Sequence, residues 1–128
     1  MKQLELEKRT LEFSNNLIDA INKLPKNQVN YKISGQVIAS GTSIGANYRE
    51  ANSAESEKDF KHKIGISFKE SKETRYWLDI LIHTNPNNLN DLKPLRQESD
   101  ELTKIFGKSF NTCKKKEEKA KNREINEN

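Results

Sequence analysis

The chain has 128 residues, a net charge of +4, and 33% charged against 32% hydrophobic residues. That length fits one domain, and a mean hydropathy of −0.99 excludes a membrane-embedded protein. The single cysteine, Cys113, excludes an internal disulfide. Leu, Ile, Val and Phe make up 29 of 128 residues, enough for a thin core of the kind that oligomerisation often completes. Glycine and proline are scarce and strand-like alternation is absent, so the expected class is all-α. No apolar run of signal-peptide type follows Met1-Lys2-Gln3, and none is long enough to span a bilayer, so a cytoplasmic location is expected.

Helix one is predicted over residues 3–24. Leu4, Leu11 and Ile18 recur every seven residues; Leu6, Phe13, Leu17 and Leu24 mark a second edge, with Ile21 between them. So wide an arc predicts a helix wedged between two neighbours, or one that also touches another subunit. Pro25 ends it. Asn27 is the N-cap expected for helix two, over 28–52. Ser53 or Ser56 caps helix three, over 55–83, with Asp59 as a weakened capping box.

These two central helices carry the clearest pattern. Ile33, Val37, Ile44 and Tyr48 form one stripe, and Phe60, Ile64, Leu78 with Leu81 or Ile82 form another. In a hairpin turning near Ala54, Tyr48 falls level with Phe60, Ile44 with Ile64, and Gly41 with Ser67. Gly35, Gly41 and Gly45 inside one helix require a close-packing reason, since each costs roughly 0.5–1 kcal/mol against alanine. The segment His83-Thr84-Asn85-Pro86-Asn87-Asn88-Leu89-Asn90 reads as a loop. Asn90 or Asp91 then caps helix four, over 91–113, with Pro94 in its first turn. Four amphipathic helices on short connections give an antiparallel up-down-up-down four-helix bundle. Residues 114–128 have no apolar face and read as a charged extension fraying into disorder.

Catalytic and metal chemistry find little footing. A di-iron bundle needs two Glu-x-x-His motifs and two further glutamates, whereas Asp59-x-x-His62 is the sole near match and Ile80 precedes His83 by three. His62 and His83 lie about six turns apart on one helix. Cys113 reads as a buried, inert thiol. Glu70 and Glu73 beside Lys69, Lys72 and Arg75 read as ordinary helical charge pairing. Gly41-x-x-x-Gly45 lies inside a helix with no lysine after it, unlike a phosphate loop. No enzyme activity, cofactor or metal is expected.

Interaction chemistry is better supported. Ile66, Trp77 and Ile80, with Glu73 among them, lie well over 90° around helix three from its core stripe. Tryptophan is enriched at interface centres, so Ile66, Trp77 and Ile80 form the candidate oligomer interface, against the plainer reading that Trp77 packs on helix four. The basic residues of the extension, Lys114, Lys115, Lys116, Lys119, Lys121 and Arg123, are the candidate nucleic-acid contacts. Phosphate contacts of this type are sequence-tolerant.

The stretch Ala39-Ser40-Gly41-Thr42-Ser43-Ile44-Gly45-Ala46-Asn47-Tyr48-Arg49-Glu50-Ala51 carries a resemblance. With it go Ser56-x-x-Asp59-Phe60-x-x-Lys63 and Lys69-Glu70-x-x-Glu73-Thr74-x-Tyr76-Trp77-Leu78. Together they resemble the bacterial four-helix bundle family of 23S rRNA intervening-sequence proteins, over Leu4 to Cys113. The resemblance implies a bundle assembled as a homopentameric ring, without known catalytic activity. Members are encoded within insertions in large-subunit ribosomal RNA genes or elsewhere in bacterial genomes. A related branch, the accessory variability determinant of diversity-generating retroelements, is a basic pentamer that binds a reverse transcriptase and nucleic acid. Two functions are therefore expected: an oligomeric bundle that contacts RNA or DNA, or an adaptor for a partner protein such as a reverse transcriptase.

Overall fold

The computed structural model describes residues 1–127. Its helices are α1 (Gln3–Asn22), α2 (Gln28–Asn52), α3 (Glu57–Thr84) and α4 (Leu89–Glu127). α1 lies against α2 and α4, and α3 also lies against α2 and α4, while the backbones of diagonal pairs do not meet. This is an antiparallel four-helix bundle in which each helix has two neighbours, with α1 and α4 the least closely packed pair. No helix is long and apolar enough to cross a membrane.

The helix starts follow their caps. The Asn27 side chain accepts from the Asn30 N–H at 2.9 Å, and the Ser56 hydroxyl accepts from the Asp59 N–H at 3.1 Å. Ser53 closes α2 instead of opening α3. One 3₁₀ turn, Pro86–Asn88, feeds α4, which begins two residues before the expected start. Pro94 therefore falls in the second turn, where it leaves the carbonyl of Asn90 without its helical donor. Asn90 is exposed, so water can serve it.

α4 does not end near Cys113. It continues to Glu127, 39 residues in all, or about 58 Å. Residues 114–127 have no packing on any side, apart from a Lys61–Glu117 bridge back to α3. Their composition accounts for the helix, because Lys, Glu and Ala are strong helix formers, and Glu117–Lys121 adds an i,i+4 pair.

The core is built from one edge of each helix. Leu6, Phe13, Leu17, Val37, Ile44, Ile64, Leu78, Leu81, Leu92, Leu102 and Phe106 are buried. The Tyr48 and Phe106 rings meet edge to face at 5.4 Å, spanning the diagonal between α2 and α4.

The α2–α3 register differs from the expected one by about one helical turn. Ser67 donates to the carbonyl of Ile44 at 2.9 Å, Thr74 to the hydroxyl of Ser40 at 2.8 Å, and Lys63 bridges to Glu50 at 2.8 Å. The four-residue connection, ending in extended backbone at Ser56, offsets the pairing. Gly41 consequently does not face Ser67. A Cβ on Gly41 would run into the Leu17 side chain, and one on Gly45 would lie 2.8 Å from the Thr10 hydroxyl. The close approach provided by these glycines is to α1, and hydroxyls fill the seam with α3. Among the described residues, no buried side-chain polar atom lacks a hydrogen-bond partner.

Candidate interaction surfaces

Three surfaces remain unpartnered. The first lies on α3. Ile66, Trp77 and Ile80 are half-buried; one side of Trp77 packs on the core and the other is open. The indole N–H donates to Glu73 at 3.2 Å, and the Tyr76 ring meets Trp77 edge-on at 5.2 Å. Lys63 fixes the direction of this face. It reaches α2 through Glu50, and Ile66, Glu70, Glu73 and Trp77 follow it on the same side of the helix. Arg75 and Asp79 bridge to Asp100 and Arg96 of α4 on the other side. Trp77 therefore sits on the α2 flank, away from α4, and the reading that it packs on helix four fails. Glu70 and Glu73 form no ion pair among the described residues, and partial burial with the neighbouring Glu73 charge pushes the Glu70 carboxyl up.

The second surface lies on α1. Leu6, Phe13, Leu17 and Leu24 are buried, but Leu4, Leu11 and Ile18 are 77%, 50% and 37% exposed. The helix does lie between α2 and α4, yet one of its two apolar edges has no neighbour. Glu7, on the same side as Leu4 and Leu11, accepts a hydrogen bond from Asn52 of α2, whereas Arg9 reaches α4. The exposed strip thus flanks α2 from the other side. It leads into an open groove of about 1140 Å³ between α1 and α2, whose apolar lining includes Ile21, Tyr31, Gly35 and Ile38.

The third is the outer face of α4. At about 100° per residue, Lys104, Lys108, Lys115 and Lys119 fall within roughly 60° of one another. The line is about 22 Å long, and all four residues are exposed. Among the described residues, Lys108, Lys115 and Lys119 pair with no carboxylate. The candidate nucleic-acid residues divide around it. Lys115 and Lys119 lie on the line, with Lys116 and Arg123 at its α1 edge. Lys114 turns toward α3, its ammonium 6.0 Å from the Phe110 ring, and Lys121 is engaged by Glu117. Lys104 and Lys108 extend the line onto the bundle; their i, i+4, i+11, i+15 spacing was the sequence signal for them.

Groups capable of reaction are scattered. Among the described residues, no three His, Cys, Asp or Glu side chains gather in a metal-binding arrangement. His62 and His83 are both exposed. Cys113 is half-buried, not fully buried as expected, and that partial burial pushes its thiol up despite Lys116 and Lys61. A raised thiol is a poorer nucleophile at neutral pH.

These features define a small four-helix bundle protein with exposed apolar and basic faces. The chain belongs to the 23S rRNA-intervening sequence protein family, whose model matches residues 2–108. A solved structure is also similar, a protein of unknown function from the S23 ribosomal protein family of Bacteroides thetaiotaomicron VPI-5482. It is 35% identical, with a TM-score of 0.77, over 87% of this chain and 99% of that one. No curated protein matches. The family match ends at residue 108, so most of the α4 arm lies beyond it.

Proposed function

We propose that this chain is a non-enzymatic, homo-oligomeric assembly protein whose α4 arm holds nucleic acid through phosphate contacts. The observation that carries the reading is the half-open Trp77, with Ile66 and Ile80 on the same flank and a second exposed strip on α1. Contiguous apolar surface rimmed by polar residues marks interaction sites, and burial is worth roughly 25 cal/mol per Å². Oligomerisation multiplies the arm: a +4 chain repeated around a ring makes a polycation of a kind that attracts nucleic acid at low salt.

Light scattering on wild type and Trp77→Lys tests the assembly. The wild type is expected to be oligomeric, and the variant to fall to a single chain with its helical circular dichroism intact. A monomeric wild type, or a variant of unchanged mass, overturns the reading.

A further inference from the structure

We infer that the α3–α4 face is the seat of a nucleic-acid duplex, with a row of lysines on each helix meeting the two strands that bank a groove. The inference rests on the nucleic-acid reading above and adds the second row and the form of the nucleic acid.

The seam between these helices is closed by two rings. Phe110 of α4 lies on Gly65 of α3, where a Cβ would come within 2.9 Å of it. Phe68 of α3 lies on Gly107 of α4, where a Cβ would come within 3.0 Å. The ring centroids are 6.2 Å apart. A side chain at either glycine would push a ring aside, so the outer side of the seam is a low floor.

Lysines border that floor on both sides. At about 100° per residue, Lys58, Lys69 and Lys72 fall within about 60° of one another, on the side of α3 that carries Gly65. All three are exposed. Among the described residues none of them pairs with a carboxylate, although Glu70 and Glu73 are sequence neighbours of Lys69 and Lys72. Lys104, Lys108 and Lys115 of the outer α4 line form the opposite border, and of these Lys104 is bridged to Asp100. Counting from the two Phe–Gly contacts, Lys72 is level with Lys104, Lys69 with Lys108 and Lys58 with Lys115, each to within about a turn. Like charges set opposite one another repel, and a polyanion laid between them relieves the repulsion. The charge is also one-sided: α1, diagonally across from α3, carries four acidic against two basic residues.

The form of the partner follows from what the face withholds. Single strands are held by bases stacking on open aromatic rings. Here the Lys72 ammonium sits 4.2 Å from the Phe68 centroid, and those of Lys61 and Lys114 sit 5.8 and 6.0 Å from that of Phe110. Each ring is packed on a glycine and capped by a cation, so neither is free to stack on a base. Tyr76, 60% exposed, lies past Lys72 at the end of the row and is turned edge-on to Trp77. A single strand tracking one row would also leave the other row unmet. Packed helix axes lie about 8–10 Å apart, between the widths of about 6 and about 12 Å of the two grooves of a B-form duplex. Lys58 to Lys72 spans about 21 Å. The two rows thus suit phosphates on both strands and read no base, and duplex DNA and duplex RNA offer them the same chemistry.

Fluorescence anisotropy on the full chain tests the seat, using short labelled DNA and RNA duplexes of mixed sequence and their single strands across a salt series. Lys69→Glu with Lys72→Glu is compared with Lys26→Glu with Lys32→Glu, which changes the charge equally at the far end of the bundle. All four lysines are exposed, and circular dichroism confirms the fold. The wild type is expected to hold a duplex more tightly than its single strands, and the tighter of the DNA and RNA duplexes names the source. The Lys69 and Lys72 pair should lose about tenfold or more in duplex affinity and shallow the salt slope by about 2, and the distant pair far less. A preference for single strands would overturn the inference. Equal losses from the two pairs would overturn it in favour of net charge alone. A Lys69 and Lys72 loss no greater than that of the distant pair, while Lys115→Glu with Lys119→Glu still weakens binding, would overturn it and leave the α4 reading intact. A chain that binds no nucleic acid would remove both.

Discussion

Asn30 and Asn85 hold each other by two hydrogen bonds of 2.8 Å, the Nδ2 of each donating to the Oδ1 of the other. Both are 3% exposed. The remaining donors reach the carbonyls of Pro25 and Leu81 at 2.8 and 3.0 Å. Because carbonyls only accept, these contacts fix which end of each amide is nitrogen. The pair ties the α1–α2 connection to the end of α3. In Asn85→Asp, an oxygen replaces the Nδ2 and faces Leu81 O and Asn30 Oδ1. We expect a loss of about 2–4 kcal/mol at neutral pH, read by urea unfolding. An unchanged midpoint would show that this amide pair does not close the bundle end.

The glycines of α2 separate by what surrounds them. Gly45→Ala pushes a methyl onto Thr10, a fully buried residue whose hydroxyl is committed to Leu6 O and Glu7 O. Overpacking there should cost about 1–3 kcal/mol. Gly35→Ala meets open space, and should gain about 0.5–1 kcal/mol from helix propensity. Chemical denaturation in the Trp77→Lys background compares the two in a single chain, and equal effects would refute the seam assignment.

Ile44 is wholly buried at the α2–α3 seam. Ile44→Asp sets a carboxylate there without a cation, at a cost of at least about 3–5 kcal/mol. Loss of helical circular dichroism is the expected outcome, and an unchanged melting temperature would place Ile44 outside the core.

The α1–α4 seam depends on acid strength. Arg9 grips Glu98 with two bonds, Nε to Oε2 at 2.7 Å and Nη2 to Oε1 at 2.6 Å. The Arg9 hydrogen bond holds the Glu98 carboxyl below the usual carboxylate range. Folding thus favours the ionised form. This contribution is complete above the ordinary carboxyl value and is lost as pH falls through the lower folded value. Arg9→Met should cost about 1–2 kcal/mol at pH 7, and its gap from wild type should close below about pH 4. A gap independent of pH would mean that Arg9 acts through its stem alone.

Nucleic-acid binding through the outer α4 line should follow charge. Lys115→Glu with Lys119→Glu should weaken binding to any sequence and shallow the salt slope by about 1 per lysine removed. Lys114→Glu with Lys121→Glu, toward α3, should do less. Fluorescence anisotropy across a salt series distinguishes these pairs, and equal losses would remove the face assignment.

The first three helices, the cap at Asn27, and the core edge Leu6, Phe13, Leu17 and Leu24 were legible in the residues themselves, whereas Ser56 was one of two candidate caps and the helix over residues 114–127 was read as a fraying extension. Periodicity and capping are local, and 3.6-residue repeats report a buried stripe wherever the partner lies. Local pattern does not say which of two apolar edges finds a neighbour. Leu4, Leu11 and Ile18 repeat as regularly as the core edge and yet stay exposed, because the placement of α2 and α4 decides which edge is covered. The same holds for Gly41, whose small size announced a close approach while only the packed register chose Leu17 over Ser67. The Asn30–Asn85 pair joins residues 55 apart, and no spacing rule connects them. The flank of Trp77 was likewise decided in three dimensions, by Lys63 reaching one neighbouring helix and Arg75 the other.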